Sequence, residues 1–168
     1  KKVLVIDFDP QGNATSGYGV EKEELEHDIY DVILHDVPIE DVIRETCAHN
    51  VYIAPATIQL ATAEIELVAE MSRESILKET IGQVKDEFDY VFIDCPPSLG
   101  LLTINALVAA DSLIIPIQCE YYALEGVAKL LESMQMVKRR MNRDLEIFGI
   151  VMTMYDSRTT LSKQVVDE

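Results

Sequence analysis

Five short apolar runs recur along the chain, at Val3–Ile6, Val51–Ala54, Tyr90–Ile93, Ser112–Ile117 and Ile147–Thr153. Each is continuous rather than alternating, which is the pattern of a strand buried on both faces. Between them, apolar residues return at helical spacing. Leu77, Ile81, Val84 and Phe88 form one series, and Val127, Leu130, Met134, Val137 and Met141 another. Each series lays a single apolar stripe along a helix, with the methionines read as core filler. Strands alternating with helices predict an α/β fold: a mostly parallel, doubly wound sheet with right-handed crossovers. Tyr18–Glu24 and Asn142–Glu146 read as surface connections, and a single domain over residues 1–168 is expected.

Composition narrows the class. With 48% hydrophobic and 26% charged residues the chain is globular rather than disordered. No apolar run reaches the roughly 18 residues of a membrane span. Three scattered cysteines, Cys47, Cys95 and Cys119, form neither a disulfide framework nor a zinc spacing, so a reducing cytoplasm is expected. The net charge of −16 argues against nucleic acid as a default partner. The charge is unevenly spread: residues 1–128 carry 24 acidic against 7 basic residues, whereas 129–168 carry 6 against 7. A late basic cluster, Lys138-Arg139-Arg140 with Arg143, suits the C-terminal end of a helix and is the alternative candidate for a nucleic-acid contact.

Two of the apolar runs end in carboxylates. Asp7 and Asp9 follow the first, and Asp94 closes the third. In open α/β sheets ligands bind beyond the carboxyl ends of the strands. A strand that delivers an aspartate to that rim is what a Mg²⁺-holding Walker B position requires. After Asp94 come Pro96-Pro97, then Ser98 and Gly100, a stiff turn leading into a mobile one, suited to sensing a γ-phosphate. Ser98 is equally suited to capping a helix over Leu101–Ala110.

The strings Val3-Leu-Val-Ile-Asp-Phe-Asp9-Pro-Gln-Gly-Asn-Ala-Thr-Ser-Gly17, Pro55-Ala-Thr-Ile-Gln-Leu60, Asp94-Cys-Pro-Pro-Ser-Leu-Gly-Leu-Leu-Thr-Ile-Asn-Ala106, Pro116-Ile-Gln-Cys-Glu-Tyr-Tyr-Ala-Leu-Glu-Gly126 and Thr153-Met-Tyr-Asp-Ser-Arg-Thr159 carry a resemblance. The chain resembles the ParA/MinD family of ATPases with a deviant Walker A loop, most closely its chromosomal ParA (Soj) branch. The resemblance implies a P-loop NTPase-like fold, and Mg²⁺-dependent ATP hydrolysis by phosphoryl transfer to water in chromosome or plasmid partitioning. It implies Asp9 as the residue that orients the attacking water, Asp7 as shaping the magnesium site, and Asp94 as the metal position, acting through water. Gln11, Asn13 and Thr15 fall in the first switch, and Pro97 and Ser98 in the second. Thr153, Met154 and Tyr155 fall near the adenine. The partners implied are ATP, a second copy in an ATP-dependent dimer, a ParB-type protein that stimulates hydrolysis, and DNA bound without sequence preference, with Arg158 as a DNA contact. A cytoplasmic, nucleoid-associated protein is expected, without a membrane partner.

The family's phosphate loop, of the type Lys-Gly-Gly-x-Gly-Lys-Thr, precedes the acidic strand, and no G-x-x-x-x-G-K-[ST] occurs in the sequence. Lys1-Lys2 opens directly into a strand, and a helical pattern at Leu161 and Val165 stops without a cap. An internal piece of a longer protein is therefore expected. Such a piece alone is expected to lack ATPase activity and to be sticky, because a strand removed from a sheet exposes unpaired backbone. The other readings are a MinD-like cell-division ATPase, a non-catalytic binding module, and a receiver domain phosphorylated on Asp94, whose spacing from Asp7 is too long for that fold. An iron cluster at Cys95 and Cys119 lacks ligand spacing.

Overall fold

The computed structural model describes residues 1–119, 123–156 and 158. The expected helical pattern at Leu161 and Val165, and Glu120, Tyr121, Tyr122, Ser157 and Thr159 of the quoted strings, lie outside them. In chain order the elements are β1 (Val3–Asp7), α1 (Asn13–Gly17), α2 (Ile29–Leu34), α3 (Ile39–Val42), β2 (Arg44–Glu45), β3 (Val51–Ala54), α4 (Leu60–Glu66), α5 (Ile76–Val84), β4 (Tyr90–Asp94), α6 (Leu101–Ala109), β5 (Ser112–Gln118), α7 (Ala123–Arg140) and β6 (Glu146–Thr153). Single 3₁₀ turns occupy Lys22–Glu24, Leu67–Ala69 and Lys85–Glu87. All five expected strands form. The two-residue β2 was not legible, since Arg44-Glu45 has no apolar run to announce it. The chain divides into two compact units, Lys1–Ala109 and Ala110–Glu168.

In the first unit the sheet order is β2-β3-β1-β4, with β1 parallel to both neighbours and β2 antiparallel to β3. Leu4, Ile6 and Phe8 of the first strand and its exit are fully buried among Ile29, Leu60 and Leu77 from the helices. Burying each such side chain is worth roughly 1.5–3 kcal/mol. The α2 helix starts where Asp28 accepts from the Tyr30 amide at 2.8 Å while the Asp31 carboxylate accepts from the Asp28 amide at 3.1 Å, a closed capping box. The α5 stripe buries Leu77 and Val84 and rests Ile81 and Phe88 against the same core, as its spacing predicts.

The Ser75 side chain does not cap α5; a neighbouring helix supplies the acceptor. Asn105 of α6, 1% exposed, accepts from the Leu77 amide at 3.2 Å and donates to the carbonyls of Arg73 at 2.7 Å and Leu101 at 3.1 Å. A leucine there would leave those backbone groups buried and unpaired. Asn105→Leu is expected to cost about 3 kcal/mol, read as a lower midpoint in urea with an unchanged slope.

The expectation of strands buried on both faces holds for β1 and fails for β5 and β6, where Ile114 is 41% and Phe148 78% exposed, and for β4, where Tyr90 is 55% and Phe92 48% exposed. The reason is position: β1 lies between two strands, whereas β4, among the described residues, pairs with β1 alone at the edge of the order. An edge with exposed aromatic residues invites pairing with other chains.

In the second unit β5 and β6 run parallel, from Ser112↔Glu146 to Gln118↔Thr153, with a register irregularity at Leu113/Ile114. Ile115 and Ile117 are buried beside Val127 and Leu130 of α7. Met134 is buried as core filler, but Met141, expected on the same stripe, is 45% exposed because the helix stops at Arg140. Lys138, Arg139 and Arg140 form the last turn, where cations complement the helix dipole. The connection Asn142–Glu146 is not the surface loop its polarity suggests. Asn142 donates to the Ala110 carbonyl at 2.7 Å and Leu145 is fully buried, which fastens the turn.

Candidate functional site

The parallel register sets Asp7 opposite Asp94 at the carboxyl ends of two adjacent strands. The Phe8 amide donates to the Asp94 carbonyl at 2.8 Å, which prolongs the ladder one step past both acids. Their surroundings then differ. Asp7 is fully buried; its Oδ2 accepts from the Thr15 hydroxyl at 2.6 Å and the Thr15 amide at 2.7 Å, and its Oδ1 from the Asp9 amide at 3.3 Å. Asp94 points out, exposed at the rim. Asp9 is half-buried between these extremes.

The loop carrying Asp9 is closed on itself. Asp9 Oδ1 accepts from the Gln11 amide at 2.9 Å, and its carbonyl accepts from the Gly12 amide at 2.8 Å. Gly12 has φ 60°, the left-handed region, and a Cβ there would lie 2.6 Å from the Ala56 carbonyl oxygen. The Thr15 hydroxyl also accepts from the Ala56 amide at 2.9 Å, so the exit of β3 is tied to the same loop. Gln11 and Asn13 are exposed on this turn, and Asn13 opens α1. A cavity of about 520 Å³ opens beside it, lined by Pro10, Gln11, Lys22, Asp28, Thr57 and Gln59.

Partial burial of the carboxyl, and then the charges of Asp7 and Asp9, push Asp94 above the ordinary carboxylate value although the residue is exposed at the rim. Like charges gathered at one rim are a cost in the absence of a cation. Hard carboxylate oxygens in that arrangement fit Mg²⁺, which takes one or two protein carboxylates and keeps its waters. Among the described residues no group of three His, Cys, Asp or Glu side chains forms a metal cage. Cys95, beside Asp94, is pushed up to about 12 by burial first and then by Asp94 and Asp9, and its thiol donates to the Ile93 carbonyl at 3.7 Å. Cys95 is half-buried and Cys119 buried, as small hydrophobes rather than cluster ligands.

Pro97 and Ser98 are exposed after Asp94. The Ser98 carbonyl accepts from the Thr103 hydroxyl at 2.5 Å, which anchors this segment to the first turn of α6. A Cβ on Gly100 would run into the Glu64 carboxylate, whose Oε1 is buried without a hydrogen-bond partner among the described residues.

The remaining candidates belong to the second unit. Thr153 ends β6, its hydroxyl donating to the Ile117 carbonyl at 3.3 Å. Met154 follows with φ 54°, a left-handed conformation unusual for a residue with a side chain, and is 77% exposed; Tyr155 is 49% exposed. Arg158 is paired with Asp156, with Nη2 2.7 Å from Oδ2 and Nε 2.9 Å from Oδ1. That pairing raises the Arg158 pKa and lowers that of Asp156.

The sequence pattern identified the acids. It did not show that Thr15 carries the bonds to Asp7 and Ala56, nor that Lys22, within a segment read as a surface connection, is half-buried against the Asp9 loop. The signal for Lys22 was present: it is the sole cation between Lys2 and Arg44.

The sheet and its acid-tipped adjacent strands define an α/β protein of the P-loop NTPase type. A family model described as an AAA domain matches residues 1–147. The chain is 55% identical over its whole length to the sporulation initiation inhibitor protein Soj of Bacillus subtilis, of which it covers 66%, and 47% identical to the chromosome partitioning protein ParA of Myxococcus xanthus, of which it covers 59%. It therefore spans less than two thirds of the length of these relatives. Among solved structures, one described as cobyrinic acid a,c-diamide synthase of Mycobacterium smegmatis with bound ATP analogue and magnesium matches at TM-score 0.94 and 40% identity, covering 99% of this chain and 68% of that one. The apo McdA of Cyanothece matches at TM-score 0.89 and 26% identity, over 99% and 68% of the two chains. The chain belongs to the ParA-type AAA-domain family. Among the described residues no helix is long and apolar enough to cross a membrane.

Proposed function

We propose that the protein containing this chain is a partitioning ATPase of the ParA/Soj type. The observation that carries the reading is the pair of acids at the ends of adjacent strands, Asp7 opposite Asp94, with the closed Asp9 turn beside them. Bound Mg²⁺ would neutralise phosphate charge at this rim. Asp94 would hold that ion through water. Asp7 shapes the site from behind, fixing the Asp9 amide and bearing on the charge of Asp94. Asp9 orients the attacking water, and the rigid Asx turn keeps its carboxylate in one place. Gln11, Asn13, Pro97 and Ser98 contact nucleotide from the two switch segments, and Thr153, Met154 and Tyr155 are assigned to the adenine base. ATP-bound copies dimerise, bind DNA without sequence preference and let go when a ParB-type protein stimulates hydrolysis, in the cytoplasm on the nucleoid. Arg158 reaches a DNA phosphate by exchanging its Asp156 partner. The Soj and ParA relatives support this role over the biosynthetic name of the Mycobacterium structure, because they are the more similar in sequence.

The test is steady-state ATP hydrolysis by the complete protein with Asp9 intact or replaced. Asp9→Ala is expected to lower kcat by about a hundredfold while ATP binding stays within about twofold. No Mg²⁺-dependent hydrolysis by the unaltered protein would overturn the reading.

A further inference from the structure

We propose that Lys22 is a positioning residue for the loop that carries Asp9; the inference rests on the ATPase reading above. Lys22 opens a single 3₁₀ turn in the segment Glu21-Lys-Glu-Glu-Leu-Glu26. Four glutamates surround it in sequence, yet its ammonium takes none of them. It donates to the Gln11 backbone carbonyl at 2.7 Å. Its stem crosses Gly12: a Cβ on that glycine would lie 2.7 Å from both Cε and Nζ of Lys22. The left-handed glycine therefore lets the loop fit between Ala56 on one side and the lysine on the other.

The bond matters because of what Gln11 holds. Its amide donates to the Asp9 carboxylate at 2.9 Å, so the peptide groups flanking the Gln11 α-carbon connect Lys22 to Asp9. The other ties of this loop come from the sheet side, through Asp7, Thr15 and Ala56. Lys22 closes it from the outer side with a charge-assisted hydrogen bond, stronger than a neutral one. It does not reach the strand-end acids itself. It limits the freedom of the turn that aims Asp9, and small errors of aim are costly in phosphoryl transfer to water.

Lys22→Ala and Lys22→Arg in the complete protein separate this role from packing alone. Two readouts are taken: amide hydrogen exchange over residues 9–15, and kcat with nucleotide affinity. In Lys22→Ala the Gln11 and Gly12 amides are expected to exchange at least about tenfold faster, and kcat to fall about tenfold with ATP affinity within twofold. Lys22→Arg, which still donates to a carbonyl, is expected to restore most of both. Unchanged exchange in Lys22→Ala, an unchanged kcat in an active protein, or an arginine variant no better than alanine would each overturn the proposal. If the unaltered protein hydrolyses no ATP, the ATPase reading fails, and the exchange measurement still decides whether Lys22 holds the loop.

Discussion

Asp94→Asn is expected to lower ATP hydrolysis by the complete protein by at least about a hundredfold and, at the same time, to make the nucleotide-free fold more stable at neutral pH. The two effects have one origin. Burial and the charges of Asp7 and Asp9 raise the Asp94 pKa above 3.8 in the folded state. A raised carboxyl pKa means that the folded protein holds its proton more tightly than the unfolded chain does. Below pH 3.8 both states are protonated and the penalty is absent. As pH climbs from there through the raised folded value, the unfolded chain loses its proton first and stability falls. At pH 7 the full penalty is present, and a neutral asparagine removes it. Asp94 is exposed at the rim, so solvent screening keeps the gain small. Urea unfolding of both proteins at pH 7 and near pH 3.5 reads the difference, which should favour the variant at pH 7 and vanish at the lower pH. An asparagine variant less stable at pH 7 would mean that Asp94 has a stabilising partner. Added Mg²⁺ is expected to stabilise the unaltered protein more than the variant.

Asp7→Ala is expected to be destabilising by about 3–5 kcal/mol, because it strips the acceptor from a buried cluster. Asp7 is fully buried and serves both polar groups of Thr15 and the Asp9 amide. Without it those donors are enclosed and unpaired. The loss spreads, because the Thr15 hydroxyl that Asp7 orients also accepts from the Ala56 amide at 2.9 Å, joining the exits of β1 and β3. Asp7→Asn should lose less, about 1–2 kcal/mol, since its carbonyl oxygen can still take Thr15 while its amide nitrogen faces the Asp9 donor. Denaturant melts of the two variants give the order, and exchange at the Thr15 and Ala56 amides locates the damage. An asparagine variant as unstable as the alanine one would show that the negative charge, rather than the acceptor geometry, holds the cluster.

The elements with strong periodicity were legible. The runs at Val3–Ile6 and Val51–Ala54 became parallel neighbours, and the Leu77–Phe88 stripe faces the core. Less was readable where partners come from distant parts of the chain. Asn105 lies in an apolar helix and gives no local sign that it caps another helix 28 residues earlier. Asn142–Glu146 looks like a polar loop until Asn142 finds the Ala110 carbonyl. Met141 satisfies the helical period but falls beyond the last turn, where the period no longer operates.

The candidate site divides in the same way. Which acids reach the rim is readable from the chain alone, because an apolar run that ends in aspartate places that aspartate at a strand's carboxyl end whatever surrounds it. Gly12 permits the sharp turn after Asp9, since glycine takes the left-handed conformation without a Cβ penalty. How the three acids differ depends on folding. Asp7 is buried and fully bonded, Asp9 is held in a closed turn, and Asp94 is exposed with a raised pKa. Asp7 and Asp9 owe their settings to Thr15, Ala56 and Lys22, which converge through folding from 6, 47 and 13 residues beyond Asp9, and Asp94 owes its raised pKa to partial burial and to Asp7 and Asp9. A carboxylate's type is written in the chain, but its environment depends on which donors and charges folding brings within about 3–6 Å.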